Sequence, residues 1–523
     1  MNLLSNAKWN AFSQFFKICV QLVNVIYLAK IIPPSEYGLM AMALVIINLG
    51  MLLRDLGTSS AIIRQKELTN DLINTVFWVN VLMGCIFALL VILGSPVISE
   101  IYKQPRLIEV LISMSIIFPL SSSASAHLAL LQRESKFKVI SFIEIFSSTV
   151  SVILALITAK MGFGVYSLVI QAVSLNLISA IQFWICSKWH PSFSKIIVYH
   201  ELKKIFGFSA NVSLFNIINY FARNADSFII GRYMSIVVLG SYNLAYRIML
   251  FPLQSLTFVA TRSLYPVLSH HQDDNKKIAS IYLNCTFFVL FLSAPLMSGI
   301  AVLSVPFVNW VFGPQWHITA NILTWLAPIG IMQSVLSTTG SVFMAKNKTR
   351  TLLYLGIFGT LLQLTSFIIG AKLDIVSFVK LYFIANVINF FPAMYFVFKI
   401  LDSSIVVFLK KILPIILSTL LMVSAIYIYL QSLVARSDVF IVLTSTCIGV
   451  VVYFLASFFS SSDIRELIIK KISKKTASIV LILKVLLTTR IIYALYMFYL
   501  YAFFLHHKRC RRKVSTRSWC SPF

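Results

Sequence analysis

Three cations stand inside long apolar runs of this chain, Lys17, Arg223 and Arg247, each with amides or hydroxyls nearby at helical spacing. At about 100° per residue, Asn10, Ser13, Gln14, Lys17, Gln21 and Asn24 fall within roughly 100° of one face. Ser209, Ser213, Asn216, Tyr220, Arg223 and Ser227 share a second face, with Asn219 and Asp226 at its edge. Arg247 follows Tyr246 and lies four residues beyond Asn243. A cation at mid-membrane costs roughly 2.5–3.5 kcal/mol on insertion scales. Helices striped in this way must turn the stripe toward a water-filled cavity or a polar helix interface. The chemistry that suits such residues is binding: a net cationic lining that takes an anionic solute and hydrogen-bonds its polar parts. The candidate substrate contacts are therefore Lys17, Arg223, Arg247, Gln14, Gln21, Asn216, Asn219, Tyr220 and Asn243. The carboxylates Asp226 and Glu144 are candidates for coupling to a proton or Na⁺.

Plainer readings compete with these. Lys17 sits early in its helix and can partly snorkel to the surface. Arg223 and Asp226, three residues apart, can neutralise each other as a structural pair. Lys380 is expected to snorkel outward, and Arg54 with Asp55 to pair at the inner mouth. The serine-rich runs Ser121–Ser125 and Ser337–Ser341 suit close helix packing better than substrate contact. His270–His271 and His506–His507 are adjacent pairs that share no helical face, so no metal site is expected. The seven cysteines contain no C-x-x-C pair and read as small buried hydrophobes. No phosphate loop, G-x-S-x-G elbow, H-E-x-x-H or D-x-D is present. No catalytic residue and no cofactor is expected.

The elements that position these residues follow from composition. Of the 523 residues 59% are hydrophobic and 12% charged, with a mean hydropathy of +0.88. Soluble chains run at about 45–50% apolar and about 25% charged. Lipid must therefore be the solvent, which excludes a soluble enzyme, a disordered chain and a disulfide scaffold. Fourteen spans are predicted, at 9–30, 37–54, 74–94, 107–130, 138–159, 165–186, 206–230, 235–259, 279–303, 318–344, 351–371, 375–398, 412–431 and 438–459. With the N-terminus cytoplasmic, the inner segments through residue 475 carry 25 Lys and Arg and the outer ones seven. That bias alternates with every crossing, as the positive-inside rule requires. It accounts for much of the net charge of +27 without nucleic acid as a partner. The outer loops are short, the longest around Trp310–Trp316, and leave no room for an external catalytic domain. No cleavable signal peptide is expected.

A shift of 202 residues lays Lys30 on Arg232, Gly38 on Gly240 and Ala43 on Ala245. It also lays Gln14, Lys17, Gln21 and Asn24 on Asn216, Asn219, Arg223 and Asp226. The expected fold is all-α, a polytopic membrane protein of about fourteen helices in two pseudo-symmetric bundles related by an axis along the membrane normal. The bundles are residues 1–204 and 205–400, followed by two appended spans at 401–460. A basic and apolar tail at 461–523 fits no pattern: an interfacial appendage is the first reading, with a fifteenth span or an altered frame as alternatives.

Ala29–Gly38, AKIIPPSEYG, resembles the turn after the first helix in bacterial polysaccharide repeat-unit flippases of the O-antigen and colanic-acid type. These belong to the multidrug/oligosaccharidyl-lipid/polysaccharide exporter superfamily. Arg54–Gln65, RDLGTSSAIIRQ, resembles that family's second-loop signature. Asp226–Tyr246 is similar to its "D-x-x-x-I-G … L-G-x-Y-x-x-A-Y" element. Pro33 stands where the family usually has Gly. The resemblance covers about residues 1–460. It implies two helix bundles that open alternately, and an undecaprenyl-pyrophosphate-linked oligosaccharide carried across the bacterial inner membrane for surface polysaccharide or lipopolysaccharide synthesis. Lys17, Arg223 and Arg247 would then neutralise the pyrophosphate while Asn, Gln and Tyr side chains bond the sugar. Membrane lipid, a polysaccharide polymerase and assembly proteins are the implied partners. The rival functions are a small-molecule or multidrug exporter, disfavoured by the cationic stripes, and a membrane polymerase, disfavoured by the short outer loops.

Overall fold

Backbone removed from water must satisfy its own N–H and C=O groups, and a helix does so within one segment. The computed structural model describes residues 3–55, 62–63, 68–193, 196–198, 220–221, 223–432, 436–461 and 464–466. Among them every regular element is helical. The first half holds α1 (Leu3–Ile31), α2 (Pro34–Asp55), α3 (Asn70–Tyr102), α4 (Leu107–Ser115), α5 (Ile117–Arg133), α6 (Phe137–Lys160) and α7 (Val165–Cys186). After a helical stretch at 223–233 come α8 (Ile236–Ser269), α9 (Asn275–Val302), α10 (Ser304–Val311) and α11 (His317–Ala345). Then follow α12 (Thr349–Gly370), α13 (Ile375–Ile400), α14 (Ile405–Ser432) and α15 (Asp438–Ser460).

Eleven helical stretches among the described residues are long and apolar enough to cross a membrane. The predicted span 165–186 coincides with α7. Three other predicted spans stand outside the eleven. The span 9–30 is helical as α1 but carries the polar stripe, and 206–230 begins outside the described residues. The span 235–259 falls in α8, whose apolar helix is Ile236–Leu250. The span 107–130 is two helices, broken at Ile116. Pro119 explains the break: it lacks an N–H, and its ring crowds the carbonyl four residues back, at Ser115, where α4 ends. The boundary at 204/205 lies outside the described residues. The chain divides into two units, Met1–Ala456 and Ser457–Phe523, and the tail beyond 466 lies outside the described residues.

Helix starts are capped by the residue types that accept orphan N–H groups. Thr69 accepts from Leu72, Ser235 from Val238, Asp274 from Lys277, and Asp374 from Val376 and Ser377. The Ser377 hydroxyl, ahead of those amides, holds the Asp374 carboxyl below its ordinary range. At its other end α3 closes on Lys103 in the left-handed region, with φ 54°, and the Lys103 and Gln104 amides return to Glu100 and Ser99.

One large apolar core dominates the first unit. It takes Leu28 to Ile47 from α1 and α2, Val91 and Tyr102 from α3, and Ala155 to Val169 around the α6–α7 turn. From the second half it takes Ile230 to Met249, Met297, Val308 to Ile329, and Phe367 to Tyr382. Most of these lie toward the helix ends that meet the turns with few basic residues, which we call the charge-poor side. Two smaller clusters toward the basic side join only residues of the first half, around Ile62–Leu130 and Ala124–Phe183. Among the described residues, then, the two halves share apolar core on the charge-poor side.

Beside that core two helices meet backbone on backbone. A Cβ on Gly38 would stand 1.9 Å from the Ile236 carbonyl oxygen, and one on Gly240 would stand 1.9 Å from that of Pro34. The 202-residue shift maps Gly38 onto Gly240 and Pro34 onto Ile236. The two contacts are thus the same contact seen from either half, as at an isologous interface. Small residues allow helices in lipid to approach this closely. Gly240→Val must push α8 off α2, and overpacking of this kind costs about 1–3 kcal/mol. The expected outcome is a lower unfolding temperature in detergent, with Gly38→Val behaving the same way.

Candidate functional site

The polar stripe of α1 is met by two other helices of the same half. Lys17 Nζ lies 2.6 Å from Glu144 Oε2 of α6, and both side chains are part-exposed, at 26% and 38%. Further along, Asn24 is buried and donates its amide to Gln171 Oε1 of α7 at 3.3 Å. Gln14 and Gln21, one turn to either side of Lys17, are exposed. An exposed face of two amides, an ammonium and a carboxylate cannot lie against hydrocarbon, so water or a polar ligand must cover it.

The second stripe is described from Tyr220 onward, and Asn216 and Asn219 lie outside the described residues. The Tyr220 hydroxyl donates to the Val45 carbonyl of α2 at 2.6 Å, a link from the second half to the first. Arg223 and Arg247 are exposed. Neither has a carboxylate within ion-pair distance among the described residues, where the pairs are Lys17–Glu144, Arg106–Glu36 and Lys136–Glu134. The structural pairing of Arg223 with Asp226 is therefore not what the structure shows. Asp226 is buried and turns the other way. Its Oδ2 accepts from the Tyr242 hydroxyl at 2.7 Å and its Oδ1 from the Ser227 amide at 2.6 Å. Asn243 spends its amide N–H on the Leu239 carbonyl one turn back, at 3.1 Å.

Tyr242 and its neighbours were not among the expected site residues. Tyr242 stacks with Tyr246, at 5.9 Å between ring centroids, and meets Phe378 of α13 edge-on at 6.1 Å. Phe378 stacks on Phe367 of α12, which reaches Tyr382, whose hydroxyl accepts from Gln333 of α11 at 3.0 Å. The signal was present in the "D … L-G-x-Y-x-x-A-Y" element, which contains the hydrogen-bonded pair Asp226 and Tyr242 together with the crossing residue Gly240.

The first motif closes the charge-poor side. Glu36, in the first turn of α2, takes a bidentate grip from Arg106 at 2.7 and 3.1 Å and also accepts the Val165 amide at 2.9 Å. It thus ties α2 to the α3–α4 turn and to the start of α7. Tyr37 meets the Trp316 ring edge-on at 5.3 Å. Trp316 is fully buried, and its indole N–H donates to the Ala29 carbonyl at 2.7 Å, beside Gln315 Nε2 at 2.8 Å. The mate of Ala29 under the repeat is Gly231, and there the Tyr102 ring packs 2.7 Å from where a Cβ would stand. Each half thus sends an aromatic residue, Tyr102 at the end of α3 and Trp316 after α10, onto the same position of the other.

On the basic side, buried Arg54 donates to Ser121 and Ser122 at 2.6 and 3.2 Å, and Asn80 donates to Ser125 at 3.0 Å. The first serine run therefore packs helices and satisfies buried donors. No group of three or more His, Cys, Asp and Glu that could hold a metal ion occurs among the described residues. Tyr242→Phe would leave the buried Asp226 carboxyl short of a donor, and a hydrogen bond to a charged group is worth about 1.5–3 kcal/mol. Its thermal unfolding in detergent should fall accordingly, and Asp226→Asn in the same background should recover part of the loss.

Comparison with known proteins places this arrangement. The sequence profile described as "Polysaccharide biosynthesis protein" matches residues 27–321. The teichuronic acid biosynthesis protein TuaB of Bacillus subtilis (strain 168) is 28% identical over 354 residues, 67% of this chain and 73% of its own length. The lipopolysaccharide biosynthesis protein WzxC of Escherichia coli (strain K12) is 28% identical over 374 residues, 71% and 75% of the two chains. In fold, the lipid II flippase MurJ in an inward closed conformation superposes with a TM-score of 0.68 at 19% identity, covering 88% of this chain and 99% of that one. An inward-facing multidrug resistance MATE transporter gives 0.51 at 15% identity, over 74% and 96% of the two chains. The matched segment holds the Pro34–Gly38 turn, the Gly240 crossing, Asp226 with Tyr242, and Trp316, and it runs through more than half of the sequence: the chain is a multi-pass membrane protein of the polysaccharide biosynthesis protein family.

Proposed function

We propose that this protein carries undecaprenyl-pyrophosphate-linked oligosaccharide repeat units across the bacterial inner membrane by alternating access. The observation that carries the reading is the packing of the described residues: among them the halves share apolar core on the charge-poor side, while Arg223 and Arg247 are exposed and Lys17 part-exposed. With the N-terminus cytoplasmic, the charge-poor side is periplasmic, and the exposed cations face the compartment where lipid-linked sugars are assembled. The relatives named for teichuronic acid and lipopolysaccharide biosynthesis support this class of substrate.

Residues 1–204 and 205–400 act as the two bundles, with 401–460 appended. Lys17, Arg223 and Arg247 neutralise the diphosphate, and Gln14, Gln21, Asn216, Asn219 and Asn243 bond sugar hydroxyls. Tyr220 donates to Val45 across the halves, so its O–H is free to donate to substrate only after they part. The lipid tail stays in the bilayer. An inside-negative potential favours outward movement of the anion by about 2.3 kcal/mol per charge per 100 mV. Asp226 is the coupling candidate held in the helix interior. Delivery of the carried unit to a polysaccharide polymerase and its assembly proteins completes the role, and the chain itself makes no bond.

Two measurements test the reading. Arg223→Gln with Arg247→Gln should abolish surface polysaccharide and leave lipid-linked oligosaccharide on the cytoplasmic leaflet, with the protein at its normal membrane level; normal polymer would end the proposed role. For alternation, Lys30→Cys and Gln315→Cys, in a chain without other cysteines, are bridged by a flexible bis-methanethiosulfonate, each thiol forming a disulfide with loss of methanesulfinate. Ala29 already holds Gln315 at 2.8 Å, so the bridge should form, stop transport, and release it on reduction. Transport through the bridged protein would contradict opening on that side.

A further inference from the structure

We propose that Glu144 and the substrate's diphosphate compete for one ammonium, that of Lys17, so that Glu144 acts as a built-in counter-anion and sets a threshold on the charge a ligand must bring. This rests on the transport reading above and goes beyond it, because it gives the carboxylate a selective role.

Of the cations on the two stripes, only Lys17 meets a carboxylate among the described residues, at 2.6 Å. The pair joins α1 to α6 within one half, so it does not hold the halves together. Its burial is unlike that of a sealed structural pair, since 26% of the Lys17 side chain and 38% of Glu144 remain accessible. Asp226 shows the contrast: it is 6% exposed and held by a tyrosine hydroxyl and a backbone amide. Gln14 and Gln21, one turn to either side of Lys17 on α1, are exposed. A ligand that reaches those amides therefore reaches the ion pair.

Exchange of anions suits this position physically. A bare ammonium at membrane depth is costly, and removing one partner of a pair leaves the other uncompensated. Substitution of carboxylate by phosphate keeps Lys17 neutralised at every stage. The diphosphate prevails because it brings more charge and more acceptor oxygens than one carboxylate. Released Glu144 is exposed enough to be solvated. A neutral polyprenyl lipid has nothing to offer the ammonium and leaves the pair closed.

The test is a binding cycle on the purified full chain in nanodiscs, with undecaprenyl diphosphate as probe and undecaprenol as control. Glu144→Gln should bind the diphosphate about tenfold tighter than the unaltered chain, and Glu144→Asp should change it less, in the same direction. The gain should vanish in a Lys17→Met background, because the coupling belongs to the pair. Undecaprenol binding should not move. Unchanged or weaker binding by both Glu144 variants overturns the proposal, as does a gain that persists without Lys17. Charge reversal, Lys17→Glu with Glu144→Lys, should leave diphosphate binding well below that of the unaltered chain; full recovery would make the pair a structural bridge and overturn the proposal. Failure of the unaltered chain to bind undecaprenyl diphosphate would overturn the transport reading itself, a result distinct from all of these.

Discussion

The contact on which the rest depends is the crossing of α2 and α8, where two glycines let each helix rest on the other's first-turn carbonyl. Hydrophobic burial cannot drive helices together in lipid, because the tails are as apolar as the side chains. Close packing and satisfied polar groups must do it. Around the crossing are the Trp316 indole on Ala29, the Tyr102 ring on Gly231, and Glu36 fixing α2 to its own half. Buried aromatic area and a few hydrogen bonds are then gathered at one end of the helices. Among the described residues, an interface gathered toward that end can open there without unpacking either half.

The polar stripes follow a different rule. Where a charge is buried it is satisfied by fixed donors, as Asp226 is by Tyr242 and Ser227. Where a charge faces an accessible surface it keeps a partner that can be exchanged, as Lys17 does, or none among the described residues, as with Arg223 and Arg247. The two halves repeat their backbone crossing more faithfully than their side-chain chemistry. Position 36 is a glutamate latch, and its mate at 238 is Val. A twofold seal needs matching shape at the axis, whereas a substrate without that symmetry needs different groups on the two faces.

Much of this was legible in the chain itself. Composition and loop charge settled a helical membrane protein, since lipid tolerates no unpaired backbone and the spans announce themselves by length. The 202-residue shift picked out Gly38 with Gly240, and the stripes picked out Lys17, Arg223 and Arg247 by periodicity alone. Pro119 could have marked the break between α4 and α5, but hydropathy runs straight through it, so the reading along the chain passed over it.

Partnership was decided only by the tertiary structure. Periodicity tells which residues share a face and is silent about what that face meets. Lys17 with Glu144 spans 127 positions and Trp316 with Ala29 spans 287, and no local pattern encodes such pairs. For the same reason spacing alone offered Arg223, one turn away, as one mate for Asp226, until the packing of α8 supplied Tyr242. Sequence determined that charges had to be placed in the membrane and on which faces. The fold decided which of them are spent on holding the protein together and which are left exposed.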